Sequence, residues 1–205
     1  MQNRKNLLQQ TLVRQAVKAL EAGGVIAFPT ETVYGLGCDP RNRRAVRRIF
    51  RLKGRDPQKP LLLVASSFAQ VRRVAVLRGQ ALLLAKHYWP GPLTLVLPLR
   101  KPSLLVKGVA VNGEVAIRFS SSKIVRALAK QFTFPLVATS ANPSGAKESR
   151  SYTDVVSYFG RDLAMIVDGG TLSVRKMSTV IRVREGTACE LIREGAIRLP
   201  KKYLL

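Results

Sequence analysis

Two pairs of polar residues in this chain are of types that can hold a polyphosphate. Lys53 and Arg55 flank Gly54, and Ser140 and Asn142 belong to a short polar turn that follows an apolar stretch. Ammonium and guanidinium groups bind phosphate oxygens, and a glycine lets the backbone approach a ligand closely. If residues 53–55 alternate as in a strand, both cations face one side; if they end a helix, they offset its dipole instead. Together the two pairs favour a nucleotide site.

Other kinds of catalysis have few residues to support them. His87 is the one histidine, and it lies in an apolar stretch beside two aromatic residues, which is more typical of a structural residue than of a general base. Cys38 and Cys189 form no CxxC pattern and acids are few and scattered, so we expect no metal held by the protein itself. Charge stabilisation and positioning remain, as in phosphoryl and nucleotidyl transfer.

Residues 29–37 are a further candidate ligand-binding segment. They follow an apolar run and combine hydroxyls, a carboxylate and two glycines, as a small polar ligand requires. An ordinary turn between two strands is the alternative. The pair Gly35 and Gly37 lacks the later glycine and lysine of a P-loop or a dinucleotide fingerprint, so a different type of nucleotide site is needed.

The charge of the chain is strongly positive. There are 35 Lys and Arg residues against 12 Asp and Glu, a net charge of +23. Residues 41–59 hold nine of the basic residues and one acid, Asp56. Such a cluster predicts docking of a polyanion such as tRNA or double-stranded RNA, although a solvated helix face would have a similar pattern.

Apolar periodicity predicts an α/β fold in which helices alternate with strands. We expect a twisted, mixed sheet, and a mobile loop or lid over residues 100–113, where Pro, Gly and Lys accumulate without a period. One predicted helix lies between Asn42, a capping residue, and Gly54. The other predicted helices span residues 6–22, 68–75, 80–88, 123–131 and 153–159, and the strands span 25–28, 61–65, 93–97, 115–119, 136–138, 165–167, 179–183 and 190–193.

The length of the chain and the absence of long apolar runs indicate its number of domains and its location. A chain of 205 residues fits a single domain, with a core over about 8–200. No apolar run approaches about 18 residues, and no signal peptide is recognisable, so we expect a cytoplasmic protein that does not insert into membranes.

Seven motifs occur in the order typical of one protein family. The chain resembles the YrdC/TsaC-type threonylcarbamoyl-AMP synthases in their single-domain form, from about residue 8 to residue 200. The set is far more specific than any one of its members. The motifs are PTETVYGLG (29–37), KGR (53–55), KPL (59–61), WPGPLT (89–94), TSANPSG (139–145), STV (178–180) and REG (193–195).

The resemblance implies a fold and a reaction. The fold is a YrdC-like mixed sheet flanked by helices around a large basic concave cavity. The reaction condenses L-threonine, bicarbonate or CO₂, and ATP with Mg²⁺ into threonylcarbamoyl-adenylate and releases pyrophosphate. Other proteins of the pathway then transfer the threonylcarbamoyl group to the adenosine beside the anticodon of tRNA.

The resemblance also implies residue roles. Thr32, Arg118 and Ser178 are expected to hold L-threonine. Four residues are expected to contact ATP, namely Arg55, Lys59, Ser140 and Arg193. The expected catalytic residues are Lys53, Arg55, Ser140 and Asn142.

The chain departs from the family at two positions near Arg118. A small hydroxyl residue is usual where Glu114 stands, and a proline is usual where Ser120 stands. A carboxylate near a triphosphate is repulsive unless it points away or meets a cation, so the local geometry of this strand is in question. An alternative interpretation of the whole chain is an RNA-binding module of the same fold, for tRNA or double-stranded RNA, without synthase activity.

Overall fold

The computed structural model describes residues 2–173, 176–184, 189–200 and 203, with side chains described at residue 7 and from residue 9 onward. The α-helices are α1 (Gln2–Glu21), α2 (Arg43–Lys53), α3 (Phe68–Val74), α4 (Gly79–Tyr88), α5 (Lys123–Phe132) and α6 (Tyr152–Phe159). The strands are β1 (Ile26–Pro29), β2 (Tyr34–Gly37), β3 (Leu63–Ala65), β4 (Leu93–Pro98), β5 (Ala110–Val111), β6 (Glu114–Phe119), β7 (Leu136–Val137), β8 (Thr139–Ser140), β9 (Met165–Ile166), β10 (Thr179–Arg182) and β11 (Glu190–Arg193).

These strands form two sheets. The smaller has the order β8-β2-β1-β9, and the larger has the order β11-β10-β4-β6-β3-β7, with β5 paired to β6. β4 and β10 are parallel, as are β3 and β6, whereas β4 and β6 are antiparallel. The predicted mixed α/β architecture is confirmed, and its strands are divided between two sheets.

Helix α2 has clear start and stop signals. The Asn42 side chain accepts hydrogen bonds from the amides of Arg44 and Ala45, and Gly54 ends the helix in the left-handed conformation with φ 55°. Val46 and Ile49 are buried on its inner side. The predicted bounds are confirmed, and the strand-like alternation considered for residues 53–55 is wrong, because Lys53 is the last residue of the helix.

The larger sheet packs against helices on one face. α3 contacts β6 and β3, α4 contacts β4, and α5 contacts β3. On β6, Val115, Ile117 and Phe119 are buried in the core. Because side chains alternate along a strand, Ala116 and its neighbours two residues away face the opposite side, where a cavity lies.

The stretch 100–113 is more ordered than predicted. β5 lies within it and pairs with β6 so that Val111 is opposite Glu114. Asn112 and Gly113 both have positive φ, 52° and 74°, as a two-residue hairpin turn requires. The predicted mobile loop or lid therefore does not extend over the last residues, which form a hairpin with β6, and the Asn-Gly pair was the signal that could have revealed the hairpin.

Residues 29–37 form a hairpin rather than a loop throughout. Thr30 accepts hydrogen bonds from the amides of Thr32 and Val33 in the turn, and β2 then pairs antiparallel with β1. A Cβ at Gly37 would lie 2.5 Å from the Phe28 ring and 2.7 Å from a backbone oxygen. Glycine is therefore needed where β2 crosses the Phe28 side chain.

Candidate functional site

A cavity of about 510 Å³ lies between the two sheets. Its floor is the face of the larger sheet opposite α3, α4 and α5. Alternate residues of β4, β6 and β10 point into the cavity from this face. One wall comes from the hairpin turn at Thr30–Val33 and from β8, and another from Arg55, Pro60 and Leu62. Four arginines line this cavity against one carboxylate among the described residues: Arg55, Arg118, Arg182 and Arg193, with Glu114.

The inner end of the cavity has a cluster of hydroxyl groups. Thr32 is hydrogen-bonded through its Oγ1 to Thr30, at 3.0 Å. The Ser178 hydroxyl accepts from Thr94 Oγ1 at 3.0 Å and from Arg193 Nη2 at 3.0 Å. Arg118 and Arg193 both line this space, and burial, with the nearby Arg118 charge, lowers the pKa of Arg193. The structure thus brings together Thr32, Arg118, Ser178 and Arg193.

Arg118 is a buried cation with a buried counterion. Its Nη1 lies 3.4 Å from Oε1 of Glu31, and the two side chains are only 5% and 7% exposed. Arg118 Nε and Glu31 Oε1 have no hydrogen-bond partner among the described residues. The Glu31 carboxylate was not singled out in the sequence, and its position inside the 29–37 motif was the available signal.

Ser120 completes this buried pair. Its hydroxyl donates to Glu31 Oε2 at 2.5 Å, and it accepts from the amide of Ser122 at 3.1 Å. The departure from proline at this position therefore adds a hydrogen-bond donor to the counterion of Arg118. The local strand geometry is regular, because β6 continues through Phe119.

Glu114, the other departure, meets a cation. Its Oε2 lies 2.9 Å from Nε of Arg182, whose Nη1 lies 2.6 Å from Oε2 of Glu190. The hydrogen bond with Glu190 and the charge of Glu114 raise the pKa of Arg182. The expected repulsion toward a triphosphate is thus offset, since the Glu114 carboxylate is paired.

Lys53 is buried behind the cavity rather than in its lining. Its Nζ donates to the carbonyl oxygens of Ser140 and Asn142 at 2.5 Å and 2.6 Å, and its own carbonyl accepts from the Ser144 amide at 2.7 Å. Burial, and secondarily the Arg55 charge, lower the pKa of Lys53 to about 8. The ammonium group therefore fastens the 140–144 segment to the end of α2.

The Asn142 side chain also makes its hydrogen bonds to the protein backbone. Its Nδ2 donates to the carbonyl oxygens of Pro143 and Ala146 at 3.0 Å and 2.7 Å, and its buried Oδ1 has no partner among the described residues. Ser140, in contrast, lines the cavity from β8, opposite Gly35 of β2. Of the predicted pair, only Ser140 faces the space where a ligand would bind.

Arg55 is half-buried and faces the cavity. Its Nε and Nη2 donate to the carbonyl oxygens of Lys59 and Pro60 at 3.1 Å and 3.0 Å, which fixes the direction of the guanidinium. Burial lowers its pKa. The Lys59 side chain is exposed and does not line this cavity in the described part of the chain.

The basic cluster of α2 forms a separate surface groove. Arg44, Arg47, Arg48 and Arg51 surround a depression of about 430 Å³ beside Gly23, and all four are exposed. We call this the arginine groove. Arg48 contacts Asp162 at 3.8 Å, which offsets one of the four charges, and the groove remains positive because its described lining contains no acid.

In the described part of the chain, no group of three or more His, Cys, Asp or Glu residues could hold a metal ion. No described helix is long and apolar enough to span a membrane.

Comparisons with known proteins agree with the motifs. Residues 18–195 match the Sua5/YciO/YrdC family model, described as "Telomere recombination". A threonylcarbamoyl-AMP synthase of Marinobacter nauticus is 40% identical over 186 residues, which are 88% of this chain and 94% of that protein.

Solved structures share the fold. Pyrococcus abyssi Sua5 complexed with L-threonine has a TM-score of 0.81 and 38% identity, covering 89% of this chain and 54% of that one. This chain therefore spans about half of that protein. Escherichia coli YciO has a TM-score of 0.82 and 27% identity, covering 96% of this chain and 94% of that one.

Proposed function

Because the chain belongs to the Sua5/YciO/YrdC family, we propose that it joins L-threonine, bicarbonate or CO₂, and ATP into threonylcarbamoyl-AMP with release of pyrophosphate. The observation that carries this function is the inner end of the cavity, where Thr32, Ser178, Arg118 and Arg193 surround one space. Hydroxyl groups and cations of this kind suit an amino acid carboxylate beside a phosphate.

The chemistry needs positioned charges rather than a protein nucleophile. The threonine amine first attacks the carbon of CO₂, which bicarbonate supplies by losing water after protonation. The N–C bond forms as one C–O π bond opens, and the nitrogen loses a proton to solvent, which gives a carbamate. A carbamate oxygen then attacks the α-phosphorus, the bond from this phosphorus to the bridging oxygen breaks, and pyrophosphate leaves. Donors held in place before reaction stabilise the charge that develops on the phosphate oxygens. His87, in α4, is not needed for this sequence.

Different residues bind L-threonine and ATP in this proposal. L-threonine lies against Thr32, Ser178 and Arg118. ATP contacts Arg55, Ser140 and Arg193, with Lys59 reaching the phosphates from the rim. Lys53 and Asn142 act by positioning, because their polar atoms hold the segment that presents Ser140.

Mg²⁺ enters this proposal with ATP. The described cavity lining includes one carboxylate, Glu114, and it is already paired with Arg182 at 2.9 Å. The phosphates themselves are therefore the ligands that fit the ion best, and bound Mg²⁺ would neutralise part of their charge.

The direct test is pyrophosphate release by the purified protein with ATP, Mg²⁺ and bicarbonate, with and without L-threonine, and mass detection of the adenylate. We expect release that depends on threonine. Ser178→Ala should raise the KM for threonine, whereas Ser157→Ala, on the exposed side of α6, should not. A folded protein that binds ATP but releases no pyrophosphate with threonine present would contradict the function.

The arginine groove supports an RNA partner. A groove lined by four exposed guanidiniums fits the phosphate backbone of tRNA or double-stranded RNA. In this proposal the product passes to proteins that transfer the threonylcarbamoyl group to tRNA. A location in the cytoplasm fits this sequence of reactions. Cys38 and Cys189 are both free thiols, as is usual in a reducing compartment.

Charge reversal tests the RNA partner. The triple change of Arg44, Arg47 and Arg51 to Glu should weaken RNA binding. It should also reduce the magnitude of the negative slope of log K against log salt by about 3. The control reverses three exposed lysines elsewhere, Lys86, Lys101 and Lys130, with the same change of net charge. Equal effects of the two triple changes would refute the groove as the RNA site.

A further inference from the structure

Glu114 occupies a fixed place at the outer end of the cavity floor. It shares the cavity face of β6 with Ala116 and Arg118. At about 3.3 Å per residue, Glu114 and Arg118 are about 13 Å apart along the strand. The carboxylate is therefore at the opposite end of the floor from the buried Glu31–Arg118 pair.

The backbone at this end is paired with neighbouring strands on both sides. The two-residue turn at Asn112 and Gly113 joins β5 to β6, and Glu114 is the first residue after it. Glu114 is also opposite Pro98 of β4, and the Gly113 carbonyl accepts from the Leu99 amide at 2.7 Å. A carboxylate on such a backbone can select a ligand, because little ordering is needed on binding.

The Glu114 side chain is held as well. Arg182 reaches it from β10, across β4, at 2.9 Å, and Glu190 holds the other side of the same guanidinium at 2.6 Å. The Glu114 side chain remains 23% exposed and lines the cavity, so it is available to a ligand. The floor between Glu114 and Arg118 is apolar, with Val96 beside Ala116 on the neighbouring strand β4 and Val180 one strand further away on β10.

We propose that Glu114 selects the nucleotide by accepting hydrogen bonds from the 2′- and 3′-hydroxyls of the ATP ribose. This inference rests on the proposed synthase function. A carboxylate is an acceptor only, so it excludes the phosphates and favours a part of ATP that offers donors. With threonine and the α-phosphate at the inner end, the part that reaches outward is the nucleoside, and its ribose offers two adjacent hydroxyls. Carboxylates recognise ribose hydroxyls in this way in other nucleotide-binding folds.

Arg182 has a supporting role in this arrangement. It orients the Glu114 carboxylate through the 2.9 Å contact, and it offsets the repulsion between this carboxylate and the triphosphate. The rival explanation is that Glu114 serves only to neutralise Arg182. The two explanations predict opposite changes in ATP affinity when Glu114 is removed. Under the rival explanation, removal of Glu114 frees the Arg182 cation and tightens ATP binding, whereas under our proposal it weakens ATP binding.

Calorimetric titration without threonine tests the proposal. Wild-type protein should bind Mg²⁺-ATP about tenfold or more tightly than 2′-deoxyATP or 3′-deoxyATP, because each deoxynucleotide lacks one hydrogen bond to a charged group. The triphosphate of purine riboside, which lacks the adenine amino group, should bind as ATP does. Equal binding of ATP and both deoxynucleotides, or a preference that depends on the amino group, would overturn the assignment to ribose.

Variants identify the residue. Glu114→Ala should weaken ATP binding about tenfold and remove the preference for ribose, and Glu114→Gln, which keeps the side-chain volume, should reduce it. Glu190→Ala breaks the other ion pair of Arg182 and should leave the preference intact. Tighter ATP binding by Glu114→Ala would support the rival explanation instead. Wild-type protein that binds no ATP at all would contradict the proposed function itself, whereas binding without discrimination would contradict only this inference.

Discussion

Nζ of Lys53 lies 2.6 Å from the carbonyl oxygen of Asn142. The same ammonium donates to the carbonyl of Ser140, so one side chain joins the last residue of α2 to the segment that lines the cavity. Lys53 is only 2% exposed. In the proposed function, Lys53 would therefore act on the nucleotide only through the position of Ser140.

Replacement of Lys53 should therefore lower stability. Lys53→Met would leave two backbone carbonyls without this donor, and we expect the free energy of unfolding to fall by about 1–3 kcal/mol. Lys59→Met, at an exposed lysine, should change it by less than about 0.5 kcal/mol. Urea denaturation measures both. Equal stability of Lys53→Met and wild type would show that the two hydrogen bonds do not hold the segment.

Replacement of Arg55 should affect ATP binding directly, in contrast to replacement of Lys53. Its guanidinium faces the cavity, so Arg55→Met should weaken ATP binding roughly tenfold by removing a charge-assisted contact. Arg43→Met removes an exposed arginine of α2 and serves as the control. Calorimetric titration at one ionic strength gives the two affinities. Matching affinities in the two variants would exclude a phosphate contact by Arg55.

The stability should depend on pH through Lys53. Its pKa in the folded protein is about 8, below the ordinary value of 10.5. Between these values the unfolded chain binds more protons than the folded one, so the contribution of Lys53 to the free energy of unfolding increases as pH rises. Unfolding of wild type and Lys53→Met from pH 7 to pH 10.5 should show a difference that grows above pH 8. A constant difference would mean that the pKa is not lowered.

The buried pair of Glu31 and Arg118 should also be sensitive. Glu31→Gln leaves the Arg118 charge without its counterion, and breaking a buried pair in this way costs about 3–5 kcal/mol. Glu194→Gln breaks an exposed pair with Arg198 and should cost less than about 1 kcal/mol. Chemical denaturation of the two variants provides the comparison. Similar losses in both would mean that Arg118 does not depend on Glu31.

Local sequence determined much of this protein. The bounds of α2 follow from Asn42 and Gly54, because capping depends on a few adjacent residues. The ordered set of motifs identified the family, and it named Thr32, Arg118 and Ser178, which the fold gathers around one cavity. These predictions needed only residue types and their spacing.

Tertiary structure decided the rest, because partners distant in the chain meet only through sheet pairing and helix packing. Strand alternation was a reasonable expectation for Lys53, but the C-terminal position in α2 turns its ammonium toward backbone carbonyls. Glu31 became the counterion of Arg118 only when the turn between β1 and β2 was packed against β6. Glu114 pairs with Arg182 because β6 and β10 lie on the two sides of β4, in a register that brings the two side chains together. This register cannot be read from the residues adjacent to either side chain.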